Sequence, residues 1–273
     1  MIRAAVLGKP IAHSLSPLVH GVIYRELGLD YSYERIELDQ DEAKAFLPEA
    51  LRLKKSELGT WSGFSLTMPL KEVGFELDLP IDAEARAAYS INTITSEGCF
   101  NTDISGLRRV IRNEKINANE AVILGNGATS RSVLLALDVL PSLKRIDIYR
   151  RSESRDSLLP RGLNVESFVH PIADLGLRHL GEDVLLISTI PATAQHEVSE
   201  RLAGFEGTLI DISYSPWPSL LAGVVSGRIV SGLPMLVAQA VDQARIFSGL
   251  SFDEEEMYRV ALLSTVRSLS TSI

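Results

Sequence analysis

The sequence predicts an α/β protein built from two domains, and three observations support that prediction. Its 273 residues are enough for two domains of ordinary size. Short β-rich segments alternate with amphipathic helical segments, an order that forms mostly parallel sheets covered by helices. Near the middle of the chain, an apolar strand runs through a glycine-rich turn directly into a helix, a connection typical of Rossmann-type folds.

The composition narrows the class of protein. Hydrophobic residues make up 45% and charged residues 23% of the chain, as is typical of a globular protein. A single cysteine excludes an internal disulfide framework and favours a reducing, cytoplasmic compartment. No apolar run reaches the roughly 20 residues that span a membrane, and "MIRAAVLGKP" is typical of a strand and not of a signal peptide. The net charge of −8 argues against nucleic acid as a partner, and the 5 histidines lack metal-ligand spacing, so no metal is expected.

The N-terminal third alternates strands and helices. After a first strand, the pattern predicts a helix that Pro17 opens, Ser16 caps and Gly28 ends. A helix over 41–58 is predicted to be divided or restarted at Pro48, and another helix to begin near Pro69. The remaining predicted elements are strands at 31–38 and 62–66, a helix over 82–89, and two short β segments joined by a turn at Glu97-Gly98.

The stretch "GKPIAHSLSP", residues 8–17, places two serine hydroxyls before the first helix. Helix capping explains Ser16 but leaves Ser14 unexplained. Two residues apart on an extended segment, the two hydroxyls point the same way, towards the positive end of the helix. The pattern indicates a site for a carboxylate or phosphate group, with plain capping as the alternative.

Four further polar residues stand where predicted strands give way to turns and helices: Thr67, Lys71, Asn92 and Asp103. In open α/β sheets, ligands bind beyond the carboxyl ends of the strands. Ordinary explanations exist, because Thr67 and Asp103 can cap helices and Lys71 can be solvated. In the first turn of a helix, however, the charge of Lys71 opposes the macrodipole. Together with the serines, this set is typical of a polyol-binding site with an acid/base pair.

The stretch "EAVILGNGATSRSVLLALDVL" predicts a turn that binds a dinucleotide. A strand at 121–124 enters "GNGATS" and continues as a helix, and Gly125 and Gly127 have the spacing that lets the backbone approach a pyrophosphate. The third glycine of the usual fingerprint is missing, so a plain strand-to-helix connection is the alternative.

The next predicted strand, "KRIDIY", ends in a cluster of cations. Arginine at this position accommodates the 2′-phosphate of NADP, whereas an acidic residue binds the ribose of NAD. Arg150, Arg151 and Arg155 cluster with Ser152, which favours NADP over a solvated run of charges. Asp147 is the rival residue for NAD, but it lies inside the strand. Further strand–helix units are predicted at 183–191, at 207–216 and over "RIVSGLPMLVAQAVDQARIF", and a last helix at 253–269 is expected to pack back on the first domain.

Several motifs together resemble the shikimate dehydrogenase family across nearly the whole chain. "GKPIAHSLSPLVH" is similar to the N-terminal signature of that family, "SLTMPLK" to its N-V-T-x-P-x-K motif, and "NTDISG" to its N-T-D-x-x-G motif. "DISYSP" and "GLPMLVAQA" are similar to its closing motifs. Independent motifs in the family's order are far more specific than one glycine-rich turn.

The resemblance implies an architecture and an activity. The expected architecture is an N-terminal α/β substrate-binding domain over 1–103, completed by helices in 238–273, and an NADP-binding Rossmann domain over 104–237. The implied activity is the reversible, NADP-dependent reduction of 3-dehydroshikimate to shikimate, on the way to chorismate and the aromatic amino acids. The expected assembly is a monomer or a homodimer.

The same resemblance implies roles for individual residues. Lys71 and Asp103 would be the catalytic pair, in which the ammonium supplies a proton and the carboxylate positions it. Ser14 and Ser16 would hold the substrate carboxylate. The residues at the ring hydroxyls would be Thr67, Asn92 and Gln239, with Tyr214 nearby. The pyrophosphate of the cofactor would be bound by Gly125, Asn126, Gly127, Ala128 and Thr129. The 2′-phosphate would be bound by Arg151, Ser152 and Arg155, with Arg150 in the same cluster. The nicotinamide would lie near Thr189, Ile212 and Gly232.

The sequence also departs from the family at four places. Ser65 stands where the family often has asparagine, and "YSINT" replaces the more usual "GAVNT", so quinate competes with shikimate as the expected substrate. "GNGATS" replaces a glycine pair by Gly127-Ala128, and "YRRS" replaces "NRT", so the contacts to the cofactor can differ from the family's. Two alternatives stay open. One is a quinate/shikimate dehydrogenase that uses NAD, supported by Asp147. The other is a non-catalytic ligand-sensing module, against which the presence of Lys71 and Asp103 argues.

Overall fold

The structure is a computed structural model that describes residues 1–52, 60–176 and 180–270. The chain divides into two compact units, one formed by Met1–Gly106 with Leu236–Ile273 and the other by Leu107–Met235. Each unit contains its own β-sheet, and the strands alternate with helices along the chain. The α/β class that the alternation predicts is confirmed.

The first unit has a mixed sheet. Its strands in the described residues are β1 Ile2–Gly8, β2 Tyr31–Glu37, β3 Gly63–Leu66, β4 Thr93–Thr95 and β5 Gly98–Phe100, in the spatial order β2-β1-β3-β4-β5. β1 is parallel to β2 and β3, whereas β4 is antiparallel to β3 and to β5. The ends of β1 and β3 therefore lie at the same edge of the sheet as the start of β4. The predicted pair of short β segments is confirmed by β4 and β5.

The second unit has a fully parallel sheet. Its strands, as far as the chain is described, are β6 Glu120–Leu124, β7 Arg145–Arg150, β8 Glu166–Pro171, β9 Val184–Ser188, β10 Thr208–Asp211 and β11 Arg228–Ser231. The spatial order β11-β10-β9-β6-β7-β8 is that of a Rossmann fold, in which the direction of strand addition reverses between β6 and β9. β6 and β9 are nearly continuous apolar runs, as expected for parallel strands that are covered on both faces.

Helices connect the strands and cover the sheets. Those in the described chain are α1 Ser16–Glu26, α2 Gln40–Leu51, α3 Ala83–Ala88, α4 Thr102–Asn113, α5 Ala128–Leu137, α6 His196–Leu202, α7 Leu220–Val224, α8 Leu233–Ser248 and α9 Glu254–Ser270. Gly28 follows α1 with a φ of +66°, so the predicted end of that helix is confirmed. α9 packs against α1, which confirms the predicted return of the last helix to the N-terminal part of the chain. None of the helices in the described ranges has both the length and the apolar character that crossing a membrane requires.

Pro48 does not divide the second helix, so that prediction is wrong. α2 continues through Pro48 to its last turn, and Asp39 caps its start by accepting the N–H of Glu42 at 3.1 Å. Ala43 and Leu47 are fully buried against the sheet, and this packing outweighs the lost backbone hydrogen bond at the proline. The rest of the predicted helix falls largely on 53–59, which lie outside the described residues.

Pro69 does not open an α-helix either. The chain forms successive turns there, in which the N–H of Leu70 bonds to the carbonyl of Thr67 at 2.7 Å, and then a short 3₁₀ turn at Val73–Glu76. Leu70 and Val73 are both buried, and their spacing of three residues suits turns with three residues per repeat. Lys71 therefore does not lie in the first turn of an α-helix, and no helix macrodipole opposes its charge there, so that expectation is wrong.

Candidate active site

The candidate substrate site lies at the edge of the first sheet where β1 and β3 end and β4 begins. Backbone hydrogen bonds join these segments, because Thr67 N–H donates to the Leu7 carbonyl at 2.9 Å and Leu66 N–H donates to the Asn92 carbonyl at 2.8 Å. α4 begins two residues after β5, and the last residue of β5 pairs with the first of β4. The topology therefore brings to one edge the polar residues predicted from the sequence at 14–16, 67–71, 92 and 103.

Lys71 and Asp103 form a close ion pair at this edge. Nζ of Lys71 donates to Oδ2 of Asp103 at 2.6 Å, and the two side chains are only 12% and 8% exposed. Oδ1 of Asp103 accepts a second hydrogen bond, at 2.9 Å, from Nδ2 of Asn92. The carboxylate is thus held in one orientation by two side chains, and it lies in the first turn of α4, where the helix dipole favours an anion.

Asp103 is not the N-terminal cap of α4, so the capping alternative is wrong for this residue. Oδ1 of Asn101 accepts from the backbone N–H of Asp103 at 3.0 Å and from that of Ile104 at 3.4 Å. Asn101 therefore caps the helix and leaves the carboxylate of Asp103 to Lys71 and Asn92. Asparagine is a preferred capping residue, so the "NTD" motif carried a signal for this role that the sequence reasoning missed.

The side-chain amide of Asn92 has a fixed orientation. Its Oδ1 accepts from the backbone N–H of Thr102 at 2.8 Å and from the hydroxyl of Thr93 at 2.8 Å. Its Nδ2 consequently faces Asp103, and it also lies 3.4 Å from Oε1 of Gln239. A backbone donor thus decides which end of the amide meets the carboxylate, before any ligand is considered.

A buried polar network continues from Asn92 towards the core of the first unit. Gln243 donates through Nε2 to the Asn92 carbonyl at 3.1 Å and to Thr93 Oγ1 at 2.9 Å, so its Oε1 must be the acceptor on the other side. That oxygen accepts from the Ser65 hydroxyl at 2.7 Å and from Nε2 of His20 at 3.1 Å. Ser65, at one of the departures from the family, therefore belongs to this network.

His20 is fully buried and neutral. Because Oε1 of Gln243 can only accept, Nε2 of His20 carries the proton and Nδ1 accepts from the Tyr24 hydroxyl at 3.1 Å. The imidazole stacks on the ring of Tyr33, with 4.1 Å between the ring centroids. Burial lowers the pKa of His20 from 6.5 to about 3, although the hydrogen bond with Gln243 acts in the opposite direction.

The two serines of the N-terminal motif lie side by side and buried. Their hydroxyl oxygens are 3.2 Å apart, and Ser14 and Ser16 are 4% and 5% exposed. Ser16 does not cap α1, because Leu15 occupies the cap position and no side chain accepts there, so that prediction is wrong. Instead, Oγ of Ser14 accepts the backbone N–H of Ser16 at 3.3 Å. Arg35 on β2 donates twice to the Ser14 carbonyl, at 2.9 and 2.6 Å, and fixes the segment from the neighbouring strand.

The other predicted substrate residues fall in both units. Thr67 and Gln239 belong to the first unit. Thr67 is half-buried on the turn after β3, and Oε1 of Gln239, on α8, lies 3.4 Å from Nδ2 of Asn92. Tyr214 is half-buried on the loop after β10 and belongs to the second unit. Arg35 was missed from the sequence because only the pairing of β1 with β2 places it beside the motif.

In the second unit, the predicted phosphate turn over 125–129 connects β6 to α5 and includes the first two residues of that helix. Gly125 has a φ of +109°, and a Cβ there would lie 2.6 Å from Oγ1 of Thr189. Thr189 is held in place, because its hydroxyl bonds to the Leu124 carbonyl at 2.7 Å and lies 2.6 Å from Oγ of Ser130. Glycine is therefore required at 125 both by its conformation and by the space available.

The start of α5 fits an anionic group. Gly127 occupies the cap position and has no side chain that could accept the N–H groups of the first turn. The atom found within 4 Å of a Cβ placed on Gly127 is Nη1 of Arg155, at 3.5 Å. A backbone without side chains at the positive end of a helix, with a guanidinium beside it, suits a dinucleotide pyrophosphate.

Residues 150–156 form the arginine loop that follows β7. Arg150 forms ion pairs within the protein, because it donates to Asp156 at 2.7 Å and to Glu153 at 2.9 Å. Arg151 and Arg155 are exposed, and neither has a carboxylate partner among the described residues. Two of the three predicted arginines are thus available to an external anion.

The carboxylate of Asp147, on β7, is hydrogen-bonded to neighbouring side chains of the same sheet. Its carboxylate accepts two hydrogen bonds from Arg145, at 2.6 and 2.8 Å, and one from Nε2 of His170 at 2.6 Å. Burial acts to raise the pKa of Asp147, but the hydrogen bonds from Arg145 and His170 outweigh it, so that the pKa is lowered. The carboxylate that supported the NAD alternative is therefore engaged with neighbouring side chains.

The predicted nicotinamide residues after β10 and β11 are packed on each other. Gly232 lies against the backbone carbonyl of Ile212, where a Cβ would overlap it, and its N–H donates to the Ser213 carbonyl at 3.1 Å. Asp211, which is fully buried at the end of β10, accepts from the Ser213 N–H at 3.1 Å and from Nε2 of Gln195 at 2.9 Å. The backbone at 211–213 is therefore fixed from two sides. In the described part of the chain, no three or more His, Cys, Asp or Glu side chains are grouped to hold a metal ion.

The Rossmann-type sheet with its phosphate turn, and the lysine–aspartate pair of the other unit, are together typical of two-domain oxidoreductases that use a dinucleotide. Residues 6–94 match the family model described as the shikimate dehydrogenase substrate binding domain. A shikimate dehydrogenase (NADP(+)) from Pyrococcus abyssi is 30% identical over 268 residues, covering 94% of this chain and 96% of that protein. The chain belongs to the shikimate dehydrogenase family, and the resemblance of its motifs is confirmed.

Solved structures agree with this assignment. The crystal structure of Mycobacterium tuberculosis shikimate dehydrogenase is 32% identical and aligns with a TM-score of 0.77, over 97% of this chain and 99% of that one. A shikimate 5-dehydrogenase from Thermus thermophilus, solved in complex with NADP(H) and shikimate, is 27% identical with a TM-score of 0.73, over 97% of this chain and 100% of that one. The predicted two-part fold is thereby confirmed along nearly the whole chain.

Proposed function

We propose that the protein is an NADP-dependent shikimate dehydrogenase, which reversibly reduces 3-dehydroshikimate to shikimate on the way to chorismate. The observation that carries this proposal is the buried Lys71–Asp103 pair, with Nζ and Oδ2 2.6 Å apart. A ligand-sensing module needs neither a proton donor nor its carboxylate partner, whereas an oxidoreductase that acts on a secondary alcohol can use both to deliver a proton to the developing alkoxide. Relatives named as shikimate dehydrogenases (NADP(+)) support the same proposal.

The chemistry follows from the residue types. Reduction of a ring ketone requires a hydride at the carbonyl carbon and a proton at the oxygen. NADPH, when bound, supplies the hydride. Lys71 donates the proton from Nζ to the developing alkoxide, and in the oxidative direction it accepts a proton from the substrate hydroxyl. Asp103 holds Nζ in position, and Asn92 fixes the carboxylate by its other oxygen.

The substrate is recognised by groups of the first unit. Ser14 and Ser16 offer two adjacent buried hydroxyls to the carboxylate of shikimate. Thr67, Asn92 and Gln239 hydrogen-bond the ring hydroxyls, and the role of Tyr214 in substrate binding stays a prediction. The proposed domains are a substrate-binding domain over 1–103 with 238–273, and an NADP-binding domain over 104–237.

NADP is proposed over NAD for reasons of charge. The 2′-phosphate is met by Arg151 and Arg155, the two exposed guanidinium groups of the arginine loop, together with Ser152. Asp147, the residue that favoured NAD and quinate, is bonded to Arg145 and His170. A cytoplasmic location is part of the proposal and is supported by a single, buried cysteine. The expected monomer or homodimer stays a prediction.

The direct test is a rate measurement on the purified protein. We expect NADP⁺ to be reduced when shikimate is added, with a kcat/KM well above that for quinate and above that for NAD⁺. The absence of nicotinamide reduction with shikimate and either cofactor would contradict the proposal. Turnover only with quinate and NAD⁺ would favour the alternative activity.

A further inference from the structure

We propose that Asp156 is a positioning residue for the 2′-phosphate of the cofactor, because it ties the arginine loop to the phosphate turn. This inference rests on the proposed use of NADP. Asp156 itself makes no contact with the phosphate. It acts by fixing the place from which Arg155 and Arg151 reach the phosphate.

Each oxygen of the Asp156 carboxylate bonds to a different segment. Oδ1 accepts from Nδ2 of Asn126, in the phosphate turn, at 2.9 Å. Oδ2 accepts from Nε of Arg150, at the end of β7, at 2.7 Å. Nδ2 of Asn126 also donates to the backbone carbonyl of Ser152 at 2.8 Å, so both of its N–H groups are directed into the arginine loop. One carboxylate and one amide therefore join the strand end, the loop and the turn.

These contacts assign a different role to Asn126 from the one that the family resemblance implied. Its side chain is only slightly exposed, and the amide nitrogen that could contact a cofactor phosphate is already used. Asn126 contributes its backbone to the phosphate turn, whereas its side chain holds the neighbouring loop.

The same contacts arrange the charges of the loop. Arg150 is balanced by Asp156 and Glu153, so its cation is not available to a ligand. Arg155 directly precedes Asp156 in the 3₁₀ turn at Glu153–Leu158, and a fixed Asp156 therefore fixes the backbone of Arg155. Its Nη1 lies 3.5 Å from the position that a Cβ on Gly127 would occupy, which places the guanidinium against the phosphate turn.

The sign of the expected effect separates this role from simple electrostatics. If Asp156 acted only through its charge, removing a carboxylate beside a bound phosphate would strengthen binding. If Asp156 orders the loop in advance, removing it would weaken binding, because the ligand would then have to order an exposed, charged segment. The two explanations thus predict changes in opposite directions.

The test is titration calorimetry with two nucleotides that differ by the 2′-phosphate, 2′,5′-ADP and 5′-ADP. Asp156→Ala should weaken the binding of 2′,5′-ADP about tenfold, the usual scale for losing a preorganised charge-assisted contact, and that of 5′-ADP by less than about twofold. Asn126→Ala should give a similar loss, and the loss in the double variant should be smaller than the sum of the two single losses, because the two residues share the Asp156–Asn126 contact.

Glu153→Ala is the matched control. It removes the same charge and the same kind of contact to Arg150, but Glu153 does not bond to Asn126. This variant should bind 2′,5′-ADP as tightly as the wild type, or slightly more tightly. Melting temperatures of the unliganded variants check the fold, and Asp156→Asn, which keeps the shape of the side chain, should lose less affinity than Asp156→Ala.

Three results would overturn the inference. Unchanged or tighter binding of 2′,5′-ADP in Asp156→Ala would leave only a charge effect. An equal loss for both nucleotides would show that Asp156 supports the turn and not the 2′-phosphate site. Equal affinity of the wild type for both nucleotides would instead contradict the proposed preference for NADP and remove the basis of the inference with it.

Discussion

In the first unit, the polar side chains of the candidate site are buried and bonded to one another, whereas in the second unit the proposed phosphate ligands are exposed cations. Ser14, Ser16, Asn92 and Asp103 are all less than 9% exposed, and each has a hydrogen-bond partner before any ligand binds. Arg151 is exposed and has no carboxylate partner in the described chain. Changes in the first site should therefore affect catalysis and folding together, while changes in the second should affect the choice of cofactor with little effect on folding.

The largest expected effect is that of Lys71→Met. We expect kcat to fall by about 10²–10⁴, the usual contribution of a positioned acid or base, while the KM for shikimate changes little because the serines and Asn92 remain. Removing the lysine also leaves Asp103 buried without its cation, so the melting temperature should fall. Lys44→Met, which breaks an exposed ion pair with Glu76, is the control and should change neither kcat nor the melting temperature. A near-normal kcat in Lys71→Met would exclude the lysine as the proton donor.

The next effect concerns the two serines. The double variant Ser14→Ala, Ser16→Ala should raise the KM for shikimate by at least about tenfold, since a hydrogen bond to a charged group contributes about 1.5–3 kcal/mol. Ser16→Ala alone should lower the free energy of unfolding by less than the roughly 1 kcal/mol of a lost helix cap, because Ser16 does not cap α1 and the variant loses only its hydrogen bond with Ser14. Ser14→Ala should be the less stable single variant, because it removes the acceptor of the Ser16 N–H. An unchanged KM in the double variant would leave both hydroxyls without a role in binding.

The third prediction concerns Arg151→Ala, a change in the second unit that should affect the choice of cofactor. We expect kcat/KM for NADP⁺ to fall by roughly ten- to a hundredfold, the equivalent of one charge-assisted contact to phosphate, and kcat/KM for NAD⁺ to stay nearly constant. The melting temperature should not change, because the side chain is exposed and has no carboxylate partner in the described chain. Equal losses with both cofactors would indicate a structural role for the arginine and no contact with the 2′-phosphate.

The smallest effect on activity is expected at His20, which should instead govern stability in acid. Its pKa is about 3 in the folded protein and 6.5 in the unfolded chain, so between these values the unfolded state binds a proton that the folded state does not. The free energy of unfolding should therefore fall as the pH is lowered through this window, by up to about 1.4 kcal/mol per pH unit from this group. Among the described residues, the titratable side chains in contact with the imidazole are Tyr24 and Tyr33, and burial raises the pKa of Tyr24 well above its usual value, far from this range.

The measurement is chemical unfolding at several pH values from about 4 to about 7, which cover most of this window. His20→Gln should be less stable than the wild type at neutral pH, and the difference should narrow as the pH falls. His13→Gln, at an exposed histidine of the same unit, is the control for the loss of an imidazole that is not buried. A constant difference between His20→Gln and the wild type would show that His20 is not held neutral by burial.

The contrast between the units also explains how far sequence reasoning could reach. The central strands β1, β6 and β9 and the phosphate turn were predicted, because continuous apolar runs and a glycine-rich turn are local signals. β8 was missed: it is an edge strand with mostly exposed residues, and only its pairing with β7 makes it a strand. The helix predicted at Pro69 was wrong because the burial of Leu70 and Val73 favours 3₁₀ turns there.

The candidate site shows the same limit at the level of side chains. Lys71 and Asp103 were selected from motifs, and the structure brings them to 2.6 Å. Arg35, Gln243 and Asp156 were not selected, because their partners lie on other strands and loops and no spacing along the chain indicates them. The roles of Arg35, Gln243 and Asp156 therefore become visible only when the fold brings their partners close to them.

The most direct test of the whole account is a comparison of four proteins with two cofactors: the wild type, Lys71→Met, Arg151→Ala and the double variant, each with shikimate and either NADP⁺ or NAD⁺. We predict that Lys71→Met lowers kcat by the same factor with both cofactors and leaves the NADP⁺/NAD⁺ ratio of kcat/KM unchanged. Arg151→Ala should lower that ratio about tenfold or more without changing kcat for NAD⁺, and the two effects should multiply in the double variant. A change in the cofactor ratio caused by Lys71→Met, or a loss of kcat with NAD⁺ caused by Arg151→Ala, would contradict the separation of chemistry in the first unit from cofactor choice in the second.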